Sequence, residues 1–231
     1  MIPTGETTPA AKWQSSGYIL CTIEKQKELK MKKDYVHVCV VLDASGSMSS
    51  IEADIKGSFN TFMAEQKKAQ GKTVLDVFQF SDEVKHIVEH ADLADFKDDL
   101  MASYVCCGMT ALYDAVCTAV DKLGRDFAAM PEEERPESVI FAIITDGCEN
   151  SSREFSLKDV KERIDRQTKE YSWEFVYLAA NQDEFEAERI SRSMGVQFSQ
   201  STMSQAELAD LSSRTLCSTL EMARRRKKSG K

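Results

Sequence analysis

The stretch Val36-His37-Val38-Cys39-Val40-Val41-Leu42-Asp43-Ala44-Ser45-Gly46-Ser47-Met48 decides how this chain is read. Val38 to Leu42 is unbroken and apolar, and such a run ending in a turn signal predicts a parallel strand buried on both faces. At its end, Asp43, Ser45 and Ser47 crowd one carboxylate and two hydroxyls into a glycine-containing turn. A turn that only had to redirect the chain would need no carboxylate. Hard oxygen donors are what Mg²⁺ takes, and open α/β sheets hold ligands beyond the carboxyl ends of their strands. The stretch reads as a buried strand that ends in a divalent-metal site.

Working outward, Ile51, Ile55, Phe59, Phe62 and Met63 recur at helical spacing, predicting a helix over Ser49 to Gln70 that stops at Gly71. Thr73 to Phe80 and Val84 to Glu89 read as strands joined by the tight turn Ser81-Asp82-Glu83, a hairpin that puts one antiparallel strand at the sheet edge. Thr110 opens an amphipathic helix carrying Leu112, Ala115, Val116, Ala119, Val120, Leu123 and Phe127. Val139 to Ile144 is the strongest buried strand and ends at Thr145-Asp146-Gly147. Ser156 with Asp159 forms a capping box for a helix to about Glu170. Trp173 to Ala180 is the next strand, Asp183 to Met194 a helix closed by Gly195, and Val196 to Phe198 a short last strand. Ser204 with Glu207 caps a terminal helix whose Leu208, Leu211, Leu216 and Leu220 are expected to pack on the body rather than on a second copy.

This alternation predicts a doubly wound α/β fold: a mostly parallel sheet with one antiparallel edge strand and helices on both faces. The expected organisation is an extension over 1–33 with a short strand at Tyr18 to Ile23, a domain over 34–200, and a C-terminal helix and basic tail over 201–231. The Asp43 turn, the Asp146 turn and the loop entering the Thr110 helix all fall at one end of such a sheet. Asp43, Ser45, Ser47, Thr110 and Asp146 are therefore the candidate metal ligands.

Those three segments carry a resemblance. Asp43-Ala44-Ser45-Gly46-Ser47, Gly108-Met109-Thr110-Ala111-Leu112-Tyr113-Asp114-Ala115 and Ile144-Thr145-Asp146-Gly147 resemble the three loops of the von Willebrand factor type A (VWA) domain. In that family the loops form the metal-ion-dependent adhesion site (MIDAS). Phe59-Asn60-Thr61-Phe62, Pro131-Glu132-Glu133-Glu134-Arg135-Pro136 and Ala179-Ala180-Asn181-Gln182-Asp183 are similar to stand-alone intracellular VWA proteins of bacteria and their phages. The resemblance implies Mg²⁺ (or Mn²⁺ or Ca²⁺) completed by an Asp or Glu of a protein partner, with an AAA-type ATPase assembly among the partners. Two residues depart from the pattern: Met109 precedes Thr110 where glycine is more usual, and Cys148 follows Gly147 where glutamate is. Met109 lacks glycine's freedom at positive φ, so a shifted second loop is expected.

Composition narrows the functions. Of 30 Lys and Arg, six fall in 223–231, a segment without any of the 38 Asp and Glu, so an acidic body of an overall −8 chain ends in a basic tail. An acidic body argues against a broad nucleic-acid surface, while the tail offers a weak nucleic-acid contact. A structural role in a phage particle or ribonucleoprotein is the alternative it keeps open. No run approaches the length of a membrane helix, and Met1-Ile2-Pro3-Thr4-Gly5 lacks a signal-peptide pattern, so a cytoplasmic monomer of a bacterium or phage-infected cell is expected. The seven cysteines include no CxxC pair, although Cys106, Cys107 and Cys148 fall in loops expected to approach each other; free thiols are the reading. A metal-dependent hydrolase of the haloacid-dehalogenase type would need a second Asp where Ser45 stands. His37, His86 and His90 lack an HExxH frame, and no Gly-x-Ser-x-Gly elbow or phosphate-binding loop occurs. The chain is expected not to be an enzyme.

Overall fold

The structure, a computed structural model, describes residues 35–68, 71–95, 101–179, 184–198 and 205–228. The expected extension, its strand at Tyr18 to Ile23, Ala180, Asp183, the cap at Ser204 and the last three residues of the tail lie outside the described residues. So do the side chains of Leu208 and Leu211.

One six-stranded sheet has the order β3-β2-β1-β4-β5-β6. Its strands are β1 (Tyr35–Asp43), β2 (Lys72–Phe80), β3 (Val84–Asp92), β4 (Ser138–Thr145), β5 (Glu174–Ala179) and β6 (Gln197–Phe198). Every neighbouring pair is parallel except β2 and β3. The helices are α1 (Glu52–Gln66), α2 (Leu112–Ala129), α3 (Leu157–Tyr171), α4 (Glu184–Met194) and α5 (Gln205–Lys228). No helix among the described residues is long and apolar enough to cross a membrane.

The sequence builds two cores by alternating along β1. Val36, Val38, Val40 and Leu42 join Ile55, Phe59 and Phe62 of α1 and Leu216 and Leu220 of α5. Cys39 and Val41 face the other way, toward Val116, Val120 and Leu123 of α2 and Ile164 of α3. Each buried Val or Leu side chain contributes about 1.5–3 kcal/mol, and layers on both faces anchor β1 as they do β4. β1 also lies where the connections diverge: β2 is its neighbour on one side and β4 on the other. That switch point opens a crevice at the carboxyl ends of β1 and β4, and the register Leu42↔Ile144 brings Asp43 level with Thr145.

Several boundaries differ from the sequence reading for local reasons. The first helix does not open at Ser49; a 3-10 turn over Gly46–Ile51 precedes α1, which ends at Gln66. Ser45 gives that turn no side-chain cap, because its hydroxyl faces Ser47. Thr110 does not open α2, which starts at Leu112; the Thr110 N–H goes to Asn150 Oδ1. β3 extends past Glu89 to Asp92. Trp173 and Val196 stand just before β5 and β6, their N–H groups bonded back to Gln167 O and Ser191 O. The Ser156–Asp159 capping box forms as read.

Candidate metal centre

Asp43 ends β1 with its side chain fully buried. Its Oδ1 accepts the Ser45 N–H at 2.7 Å and its Oδ2 accepts the Thr145 hydroxyl at 2.6 Å. Thr145 Oγ1 in turn accepts the Gly147 N–H at 3.1 Å, so one hydroxyl ties the β4 turn to the Asp43 carboxylate. Ser45 Oγ lies 3.0 Å from Ser47 Oγ, and the Ser47 hydroxyl donates to Asp146 Oδ1 at 2.7 Å. The first and third loops thus meet side chain to side chain across 99 residues of sequence.

Gly147 shows where the second loop enters. A methyl group added there would sit 3.2 Å from Thr110 Oγ1 and 3.8 Å from Asp43 Oδ2. Both oxygens border a space that only a missing side chain keeps open. Thr110, Ser45 and Asp146 are all buried. All five sequence-named residues are therefore brought to one place.

Met109 does not take the positive φ that glycine's freedom would serve. The positive φ of this segment (80°) belongs to Gly108, where Asp82 also leaves no room for a Cβ, and Met109 is not among the non-glycine residues with positive φ. Met109 takes an ordinary conformation, so its side chain costs the loop nothing. The loop is pinned on all sides: Gly46 N–H to Gly108 O, Cys107 N–H to Ala44 O, Ala111 N–H to Ser81 O and Met109 N–H to Asp82 Oδ2. Tyr104, fully buried, donates its hydroxyl to Asp43 O at 2.6 Å.

Burial pushes the Asp43 carboxyl up to about 6; the Thr145 and Ser45 donors pull against this, and the charge of Asp146 adds to it. An acid kept near its charging point by burial beside another acid is poised for a cation. The donor set fits a hard ion: two carboxylates and three hydroxyls, all oxygen, with no soft ligand required. Among the described residues no three His, Cys, Asp or Glu are placed to hold a metal, and the described cysteines are free.

Thr145, Asn150 and Asp82 position the three loops but were not read as functional from sequence. Thr145 carried a signal, a hydroxyl in the last buried place of a strand beside Asp146. Asn150 and Asp82 carried none.

Solved structures share this architecture. The PilB minor pilin of Streptococcus sanguinis matches with a TM-score of 0.59 at 11% identity, over 84% of this chain and 62% of that one. A von Willebrand factor type A protein from Catenulispora acidiphila matches with a TM-score of 0.52 at 16% identity, over 83% of this chain and 42% of that one. The fold is the von Willebrand factor type A fold. Proximal thread matrix protein 1 from the mussel byssus, in a form with a zinc-occupied MIDAS motif, matches with a TM-score of 0.55 at 16% identity, over 78% of this chain and 47% of that one. This VWA-fold chain spans less than two thirds of each of these proteins. No family model matches the chain, and no curated protein matches it.

Proposed function

We propose that this VWA-fold chain is a metal-dependent protein-binding module. Asp43, Ser45, Ser47, Thr110 and Asp146 would hold a divalent cation, Mg²⁺ first, with Mn²⁺ or Ca²⁺ able to substitute. When bound, the ion supplies a hard positive charge that accepts a carboxylate oxygen from an Asp or Glu of the partner. The chain's own part is to keep three hydroxyls and two carboxylates facing one space and to hold the loops rigid around it. The observation that carries the reading is the meeting of three separate loops, through Ser47–Asp146, Thr145–Asp43 and the Gly147 gap beside Thr110. Two carboxylates among five donors leave the ion electrophilic enough to need an outside acid. Catalysis has less support: Ser45 stands where a second acid would be needed beside Asp43.

Calorimetric titration of Mg²⁺ and Mn²⁺ into the full chain tests the site. Binding should be lost when Asp43→Ala and Asp146→Ala are combined, and unchanged heats in that double variant would remove the site. The adhesive step is tested by capture with and without chelator. A partner retained by the parent with Mg²⁺ should be lost both on chelation and in Asp43→Ala.

A further inference from the structure

Asp76 of β2 is fully buried and belongs to none of the metal loops. It stands level with Cys39, four residues before Asp43 along β1 and so roughly 13 Å from it. Every histidine of the chain converges on its carboxylate. His37 Nε2 of β1 is 2.7 Å from Oδ2, while His86 Nε2 and His90 Nδ1 of β3 are 2.5 and 3.1 Å from Oδ1.

The backbone is shaped for this gathering. Leu75 pairs with Ala91 and Val77 with Val88, so Glu89 and His90 together stand opposite Asp76 as a bulge. His90 has a φ of 48°, rare for a residue with a side chain, and its N–H donates to Asp76 Oδ1 at 3.3 Å. A side-chain carboxylate thus substitutes for strand pairing where the edge strand buckles.

His37 is the innermost member. Its Nδ1 is 3.2 Å from the Tyr35 hydroxyl, and the edges of Phe127 and His90 close over its ring. In the neutral Nε2–H tautomer Tyr35 donates to Nδ1 and the Nε2–H faces Asp76. The His37–Asp76 contact is close but poorly aligned, and neither atom has another partner among the described residues. Burial draws His37 below the ordinary 6.5, only partly offset by Asp76. Burial would raise Asp76, but the imidazole donors around it hold it well below the usual carboxylate range.

The remaining ionisable groups frame the cluster. From β1 come Tyr35, pushed up to about 12 mainly by burial, and the Cys39 thiol, also raised by burial. Lys72 of β2 lies over the Tyr35 ring and 3.7 Å from Asp92 of β3. Glu89 is 4.0 Å from His86, Asp126 of α2 is 3.7 Å from His90, and Lys122 of α2 bridges Glu89 and Asp126. Among the described residues no three of these donors are placed to hold a metal ion. At the far end of the same hairpin, Ser81 and Asp82 hold the Ala111 and Met109 amides of the Thr110 loop.

We infer that Asp76 and the three histidines form a proton-operated latch that keeps the β2–β3 hairpin closed, so that proton uptake releases β3 and slackens the loop carrying Thr110. The latch stands without a metal; its consequence for binding rests on the proposed role of Thr110. Opening β3 removes His90 from above His37 and lets water reach the buried pair. His37 then regains its ordinary affinity for protons, so opening takes up one proton below about pH 6.5.

Amide hydrogen exchange on the full chain in chelator, corrected for intrinsic rates and run from pH 7.5 to 5.0 beside imidazole NMR titrations, tests this. Protection of residues 84–92 and of the Met109 and Ala111 amides should fall by up to about tenfold per pH unit below about pH 6.5, while the native His37 signals stay those of the neutral ring. His37→Gln keeps a donor and an acceptor but cannot titrate, and it should flatten the slope. Flat protection in the parent, or the same slope in His37→Gln, overturns the latch. Should that variant not fold, the parent decides: native His37 signals that titrate at or above about pH 6.5 overturn it equally, because opening would then take up no proton.

Discussion

Asp43 and Asp76 lie on neighbouring strands, four register positions apart, and both are wholly buried. Their surroundings drive them in opposite directions. Asp43 meets one hydroxyl, one amide and a second acid, and burial wins, lifting it to about 6. Asp76 meets three imidazoles, and the donors win, holding it low. Burial alone does not set the charge of a carboxylate; the donors built around it do. Asp76 finds three partners within the chain, while Asp43 stands beside a second acid.

The largest expected effect comes from breaking the complete cluster. Asp76→Ala removes the shared hydrogen-bond acceptor of buried His37 and of the partly exposed His86 and His90 and should destabilise the protein by about 3–5 kcal/mol, read from urea denaturation at pH 7. A loss under about 1 kcal/mol would show that the histidines do not depend on Asp76.

The opposite sign is expected at the incomplete one. In chelator, Asp43→Asn should be more stable than the parent at pH 7 by about 2–3 kcal/mol, since the folded value of about 6 stands above the ordinary 3.8. A group raised on folding is a penalty only once it ionises. The gap should therefore be absent below about pH 4, open between about pH 4 and 6, and stay constant above. His37 and Asp76, both lowered on folding, act in the other sense and lose their contribution as pH falls. With Mg²⁺ added, the parent should gain stability with ion concentration and Asp43→Asn should not. A variant less stable than the parent in chelator would reverse the assignment of Asp43.

The smallest effect sharpens the second loop. Met109→Gly should change metal affinity by less than about twofold and stability by about 0.5–1 kcal/mol at most, because Gly108 already carries the left-handed turn. Titration and thermal melting check it, and a tenfold gain in affinity would mean that Met109 does strain the loop.

The fold was legible because its signals are local. The runs at Val38 to Leu42 and Val139 to Ile144, the Ser81-Asp82-Glu83 turn and the Ser156–Asp159 box each announce one element, and chain order then constrains the sheet. Asp43, Ser45, Ser47, Thr110 and Asp146 were nameable because loops at one end of such a sheet must lie close together. The histidine cluster was not legible. In the sequence His37, His86 and His90 stand without an HExxH frame and with no pattern that gives them a shared partner. Bringing them to Asp76 takes the irregular pairing of β2 with β3 and a left-handed His90, and no residue pattern announces either. The Ser45 and Ser47 hydroxyls, natural candidates for helix caps, face each other and Asp146 instead.

All nine residues of β1 are buried, and neighbours along it belong to different interiors. A one-residue insertion in this strand would exchange the two sets, sending His37 toward α1 and α5 and Val38 toward α2. It would also carry Asp43 out of reach of Thr145. The strand therefore has no tolerant position, and sequence change that reshapes the crevice has to fall beyond its carboxyl end.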